Sequence, residues 1–159
     1  MQQNSKRRKF MSEVQASNSE KAPVHLWAVG IIGLLWSSMG ALDYVMTQTR
    51  NESYMSAFTP EQLEFFYGLP VWVDAAWAVG VWGGVLGAIL LLFRKAIAVW
   101  IFLASFLAVV ITTLHNYVFS NAMEVSGDTF SLIFSAVIMV IALLLYLYAR
   151  AMQQRGVLS

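Results

Sequence analysis

The chain has 159 residues, of which 58% are hydrophobic and only 12% charged, with a formal net charge of +1 and no cysteine. So few polar residues cannot coat a soluble globule of this length, and the composition points to a chain whose solvent is mostly lipid. The lack of cysteine excludes disulfides, thiol chemistry, thiolate metal sites and c-type haem attachment, and two histidines argue against a multi-histidine metal centre.

Residues 1–22 are rich in Gln, Ser, Lys, Glu and Asn, with almost nothing apolar to bury. They are expected to form a disordered basic tail. A membrane domain is predicted over residues 23–150, followed by a short second tail over 151–159. Four apolar segments define the domain: Val24–Met46, Val71–Phe93, Ala96–Phe119 and Phe130–Ala149 (24–46, 71–93, 96–119 and 130–149). Each is about 20 residues or longer, which at about 1.5 Å per helical residue crosses a hydrocarbon layer of about 30 Å. Asp43 and Asp74 are the formally charged residues inside them. The predicted fold class is therefore an all-α membrane protein, a four-transmembrane-helix bundle. Val24–Met46 is too long for a signal-peptide core, and no small-x-small cleavage site follows it, so it reads as an uncleaved anchor.

In the first connection, Thr59-Pro60-Glu61-Gln62 reads as a helix start. Thr59 is the N-cap, Pro60 takes the first helical position, and Gln62 completes a capping box. Gly68 and Pro70 stop this helix. Phe58, Leu63, Phe65, Phe66 and Tyr67 suit a short interfacial helix on the outer membrane surface, with Glu61 and Glu64 toward water. They equally suit an aromatic belt at the top of the second span, joined by Trp72. The turn at Arg94-Lys95 is tight enough to make the second and third spans an antiparallel hairpin. The loop Ser120–Asp128 is short and polar.

Charge sets the expected orientation. Lys6, Arg7, Arg8, Lys9 and Lys21 precede the first span, Arg94 and Lys95 lie between the second and third, and Arg150 and Arg155 follow the fourth. Arg50 alone among the basic residues falls on the other side, with Glu52, Glu61, Glu64, Glu124 and Asp128. The positive-inside rule then places both termini in the cytoplasm, N-in and C-in.

Small and polar residues recur at helical spacing on each span. Gly33, Ser37, Gly40 and Tyr44 mark the first, and Gly80, Gly84 and Gly87 the second, with Gly83 on another face. Ser105, Ala108, Thr112 and Asn116 mark the third, and Ser131, Ser135, Ala142 and Tyr146 the fourth. Lipid supplies no hydrophobic drive between helices, so these stripes are read as close-packing faces. Gly83, on the opposite face, leaves room for a contact with another subunit, and Val99 is expected to lie off the packing face.

Asp43, Asp74 and the pair His115-Asn116 are predicted to share one depth, about one turn (~5.4 Å) below the outer surface, with Tyr44, Gln48, Arg50 and Tyr117 nearby. Three readings of this layer stand. It is a hydrogen-bonded network, with Asp43 paired to Arg50 and Asp74 to His115. It is the floor of an outward vestibule that binds a polar solute or carries protons. Or Asp43, Asp74 and His115 hold a metal, although no helix offers two ligands at close spacing. The tryptophans near the span ends fit interfacial belts, and Trp36, Trp77 and Trp82 sit deeper.

The stretches Leu26-Trp27-Ala28-Val29-Gly30, Ser38 to Glu52, and Val79 to Gly87 resemble a group of small four-helix bacterial inner-membrane proteins that often carry the label "sugar transporter". The resemblance covers about His25 to Arg150. It implies a multi-pass protein of the bacterial inner membrane, and brings no catalytic or binding residue with it. Sugar carriers of comparable size use three-helix repeats in dimers, and no internal repeat is found here.

No nucleophile–base motif, phosphate loop or metal-binding pair is present, so the chain is not expected to be an enzyme, to hold a cofactor or metal, or to bind nucleic acid. The expected partners are the lipid bilayer and either further copies of the chain or another membrane subunit. The leading expectation is a protein acting through helix–helix association or as an accessory subunit. The alternative is a small-solute or proton-linked transporter using the outer Asp/His layer.

Overall fold

A computed structural model of the chain describes Arg7, Phe10, residues 23–120 and residues 129–159. The predicted tail 1–22 (Arg7 and Phe10 apart) and most of the predicted loop Ser120–Asp128 lie outside the described residues. The described chain is all-helical. Its helices are α1 (Val24–Gln48), α2 (Glu52–Met55), α3 (Pro60–Tyr67), α4 (Val71–Leu92), α5 (Ala98–Leu114) and α6 (Thr129–Gln154), and α5 continues as a π-helical turn over His115–Phe119. Four spans are long and apolar enough to cross a membrane: Val24–Gln48, Val71–Leu92, Ala98–Phe119 and Ser131–Gln154. A multi-pass membrane protein follows from them.

Side-chain pairs fix the bundle as antiparallel throughout. From one end of α1 to the other, Gly30 meets Leu92, Ser37 meets Gly84, and Gly40 meets Val81. Along the α4–α5 pair, Gly87 faces Phe102, Gly83 faces Ser105 and Gly80 faces Val109. Tyr117 donates to the Ser131 carbonyl at 3.2 Å, and Gly33 meets Leu145, so α6 runs against both α5 and α1. The His25, Arg94, Lys95, Arg150 and Arg155 end is the basic end; the end bearing Asp43, Asp74, Glu61 and Glu64 is the acidic end.

The glycines are where helices touch. A Cβ on Gly84 would stand 2.8 Å from Ser37 Oγ and 3.2 Å from its Cβ, with Ser105 Oγ at 3.8 Å, so α1, α4 and α5 converge on this hydrogen atom. Ser105 donates its hydroxyl to the Gly80 carbonyl at 2.5 Å, which satisfies a buried polar group where there is no water to do so. Gly83 departs from expectation. A Cβ there would lie 2.9 Å from Ser105 Cβ, so its face is taken by α5 of the same chain and not by a second subunit. Val99 is also corrected: it is buried in the core, because the first turn of α5 is enclosed by α4 and α6.

The buried core gathers at the basic end, in Leu26, Leu91, Val99, Phe102, Leu145, Ala149 and Met152, together with Val157 and Leu158. Those last two residues belong to what the sequence suggested was a separate tail. The helix outruns the apolar segment because Arg150 to Gln154 are good helix formers, and loss of hydrophobicity does not end a helix. Gly156 ends it, at φ +71°, with Val157 N–H bonded to the Met152 carbonyl and Gly156 N–H to that of Gln153. This is a Schellman turn, and its usual apolar contact is supplied by Val157 and Met152. Beyond it the chain lies against the α4–α5 turn. Ser159 N–H bonds the Arg94 carbonyl at 2.8 Å, Ala96 N–H the Ser159 carbonyl at 3.1 Å, and Arg94 Nε the Val157 carbonyl at 2.9 Å.

Two other helices end in the same way on arginine. Arg50 (φ +50°) closes α1 and Arg94 (φ +58°) closes α4, each with the paired Schellman bonds. The left-handed conformation costs a side-chain-bearing residue about 1 kcal/mol. Each arginine has a compensating contact: Arg94 with Val157, and Arg50 with the Tyr67 ring, its guanidinium carbon 4.4 Å from the centroid.

Candidate functional site

The α1–α4 connection builds the acidic end from local rules. Asn51 caps α2 by accepting from Tyr54 N–H at 3.1 Å. Thr59 and Gln62 form the predicted capping box, with Thr59 N–H donating to Gln62 Oε1 at 3.0 Å and Gln62 N–H to Thr59 Oγ1 at 3.3 Å. Gly68 is required at the close of α3, since a Cβ would sit 2.9 Å from the Glu64 carbonyl oxygen. Phe58, Phe65 and Phe66 stack edge to face into a small aromatic layer over α2 and α3.

The ionisable residues of the predicted layer do not meet as one cluster. Asp43 accepts a hydrogen bond from the Tyr54 hydroxyl at 2.7 Å, and Arg50 stacks on Tyr67 instead of pairing with it. Asp74 accepts from Gln48 Nε2 and is not bonded to His115. The reason is geometric. The chain turns sharply after Gln48, so α2 folds back over the end of α1 and delivers Tyr54 to Asp43, while Arg50 is committed to closing the helix. A uncharged donor thus meets each carboxylate, which partly offsets the cost of placing it at the membrane edge. The hydrogen bond to Asp43, reinforced by desolvation, pushes the Tyr54 phenol up to about 12. On α3, its own backbone N–H and the Thr59 hydroxyl hold the exposed Glu61 carboxyl below its usual range.

His115 and Asn116 stand apart from the aspartates. The π-helical turn inserts an extra residue, which redirects the side chains that follow. His115 Nδ1 lies 3.2 Å from Ser120 Oγ and 3.4 Å from Asn116 Oδ1, and the ring packs edge-on against Trp72 with centroids 5.1 Å apart. Tyr117 turns the other way to reach Ser135 Oγ at 2.9 Å on α6. Tyr44 packs against Trp77, centroids 5.0 Å apart, and joins neither carboxylate by a hydrogen bond. Among the described residues no three His, Asp or Glu side chains assemble as metal ligands, so Asp43, Asp74 and His115 do not make a metal centre together.

A cavity of about 600 Å3 opens beside His115, lined by Glu61, Glu64, Phe65, Leu69 and Ser120 among others. Neither Asp43 nor Asp74 lines it. Comparison with protein-family models, curated proteins and solved structures gave no match. The reading of this end therefore rests on its chemistry.

Sequence reasoning missed two participants, Tyr54 and Ser120, and placed Gln48 near the layer without its bond to Asp74. The Asn51-x-x-Tyr54 cap signal for α2 was available, but it marks only a single turn of helix. Neither Tyr54 nor Gln48 carries a charge that would single it out as the partner of a carboxylate. Trp72, read as a belt residue, is half-exposed and also supplies the aromatic edge for His115.

Proposed function

We propose that this chain is a non-catalytic protein of the bacterial inner membrane, with both termini in the cytoplasm, that acts by associating through α6 with a second copy or another membrane subunit. The observation that carries the reading is the uneven use of helix faces. Eleven per cent of α6 is buried (11%), against 28% of each other span, and Leu132, Ile133, Val137 and Val140 are exposed along its acidic-end half. The glycine faces of α1 and α4 are consumed within the chain, which leaves α6 as the helix with most surface to offer. The sorting of basic residues supports the orientation, and the resemblance to small four-helix proteins supports the location. In this arrangement α3 lies along the outer membrane surface, with Glu61 and Glu64 toward water.

The absence of cysteine makes the test direct. Single cysteines at Val137 and Val140, cross-linked in native membranes, are expected to give one discrete larger species. A cysteine at Ile32, which is more exposed than either but lies on α1, is expected to give none. Cross-linking that is absent or uniform around the bundle would mean that lipid alone covers α6.

The cavity beside His115 favours a second reading, solute binding in a transporter. It predicts that His115→Ala abolishes solute or proton flux in proteoliposomes while the fold survives. The association reading predicts no flux above that of empty liposomes for the unmodified chain.

A further inference from the structure

We infer that the basic end holds an anionic phospholipid, bound by Lys95, Arg150 and Arg155 against the apolar surface of α5 and α6. The three cations share the basic end of the bundle, where the segment after α6 docks on the α4–α5 turn. The Schellman turn at Gly156 follows Arg155 directly; the Val157 carbonyl then accepts from the Arg94 side chain, and Ser159 is bonded to the backbone of Arg94 and Ala96, on either side of Lys95. Arg150 lies five residues earlier on α6, about 7.5 Å further toward the membrane centre. All three side chains are exposed.

No described side-chain carboxylate stands beside them. Asp43, Glu52, Glu61, Glu64 and Asp74 all belong to the other end of the bundle. The contact assigned to Arg150 is a 3.3 Å bond from Nη1 to the Tyr146 hydroxyl, a neutral partner that orients the guanidinium and leaves its other donors available. Helix dipoles do not cancel the charge either. The antiparallel bundle presents the N-termini of α1 and α5 and the C-termini of α4 and α6 at this end, so their partial charges offset one another.

Beside this layer the surface turns apolar. Ile97 and Trp100 on α5 are 56% and 66% exposed, and Leu144 and Leu147 on α6 are 57% and 46% exposed. A phosphate diester with two acyl chains matches that division: arginine forks and a lysine ammonium for the phosphate, aliphatic and indole surface for the chains. A free phosphate has no use for the apolar half.

The test uses the full chain in nanodiscs of phosphatidylcholine, with and without phosphatidylglycerol, read by melting temperature and by native mass spectrometry of retained lipid. The unmodified protein is expected to melt higher with phosphatidylglycerol and to retain it selectively. Each basic residue near an anionic surface contributes about a five-fold preference, so the Lys95→Gln, Arg150→Gln, Arg155→Gln triple variant should lose selectivity on the order of 100-fold. The single variant Arg150→Gln should lose about five-fold, and gives the answer if the triple variant does not fold. Glu61→Gln, Glu64→Gln at the far end should leave selectivity intact. Selectivity that survives in the triple variant, or is undiminished in the single one, would assign it to the basic residues Lys6 to Lys9 and overturn the proposal. So would equal protection by inorganic phosphate in detergent, which would make the ligand a free anion.

Discussion

Removing one oxygen atom, in Tyr54→Phe, would take away the hydrogen bond that Asp43 accepts and loosen α2 from the end of α1. Asp43 is partly exposed at a wet rim, so the expected cost is about 1 kcal/mol, at the low end for a charged acceptor. Phenol titration gives the same contact a signature in pH. The Tyr54 pKa is raised in the folded chain from 10.0 to about 12, so the bond stabilises the fold fully below pH 10 and that contribution fades as pH rises through about 12. In a spectrophotometric titration of the detergent-solubilised protein, Tyr54 should ionise late, and Asp43→Asn should return it toward 10.0. An unchanged titration in that variant would mean that Tyr54 and Asp43 do not touch. The pairing was not legible in the sequence because Arg50, the obvious partner by charge, is held at φ +50° by the helix ending it forms.

Helix by helix, the spans were readable and their partners were not. Hydropathy over some twenty residues is a local sum, so α1, α4 and α5 begin or end within two residues of expectation. Which face of α4 or α5 meets which neighbour depends on two other helices at once, and there the sequence left Gly83 open to another subunit and put Val99 off the packing face. Gly84 tests the corrected arrangement. Gly84→Leu would drive a side chain into Ser37 and Ser105, and overpacking of this kind typically costs about 1–3 kcal/mol or more. Gly40→Ala makes a useful contrast, because its Cβ would find Val81 Cγ1 at an ordinary 3.5 Å. It should be neutral or slightly stabilising, since alanine also favours the helix. Melting in detergent should therefore separate the two variants clearly. Ile111→Leu, on an exposed position of α5, should not shift it.

Across the whole molecule, the charge asymmetry predicts that reporters fused at Ser56 or Gly127 are extracytoplasmic and those at Lys95 or Ser159 cytoplasmic. An odd number of crossings by this assay would contradict the antiparallel bundle. The packed end of that bundle is closed by residues 157–159, and Leu158→Ala should cost about 2 kcal/mol by emptying a buried position against the α4–α5 turn. This seal has a consequence for how the protein is made. Arg94 and Val157 are 63 residues apart, so at about 5–20 residues per second a ribosome needs roughly 3–13 s between delivering the turn and delivering the segment that covers it. For that interval the α4–α5 turn stands with its Arg94 carbonyl and Ala96 N–H uncovered, and it is then that an insertion factor or protease would find the nascent chain most accessible.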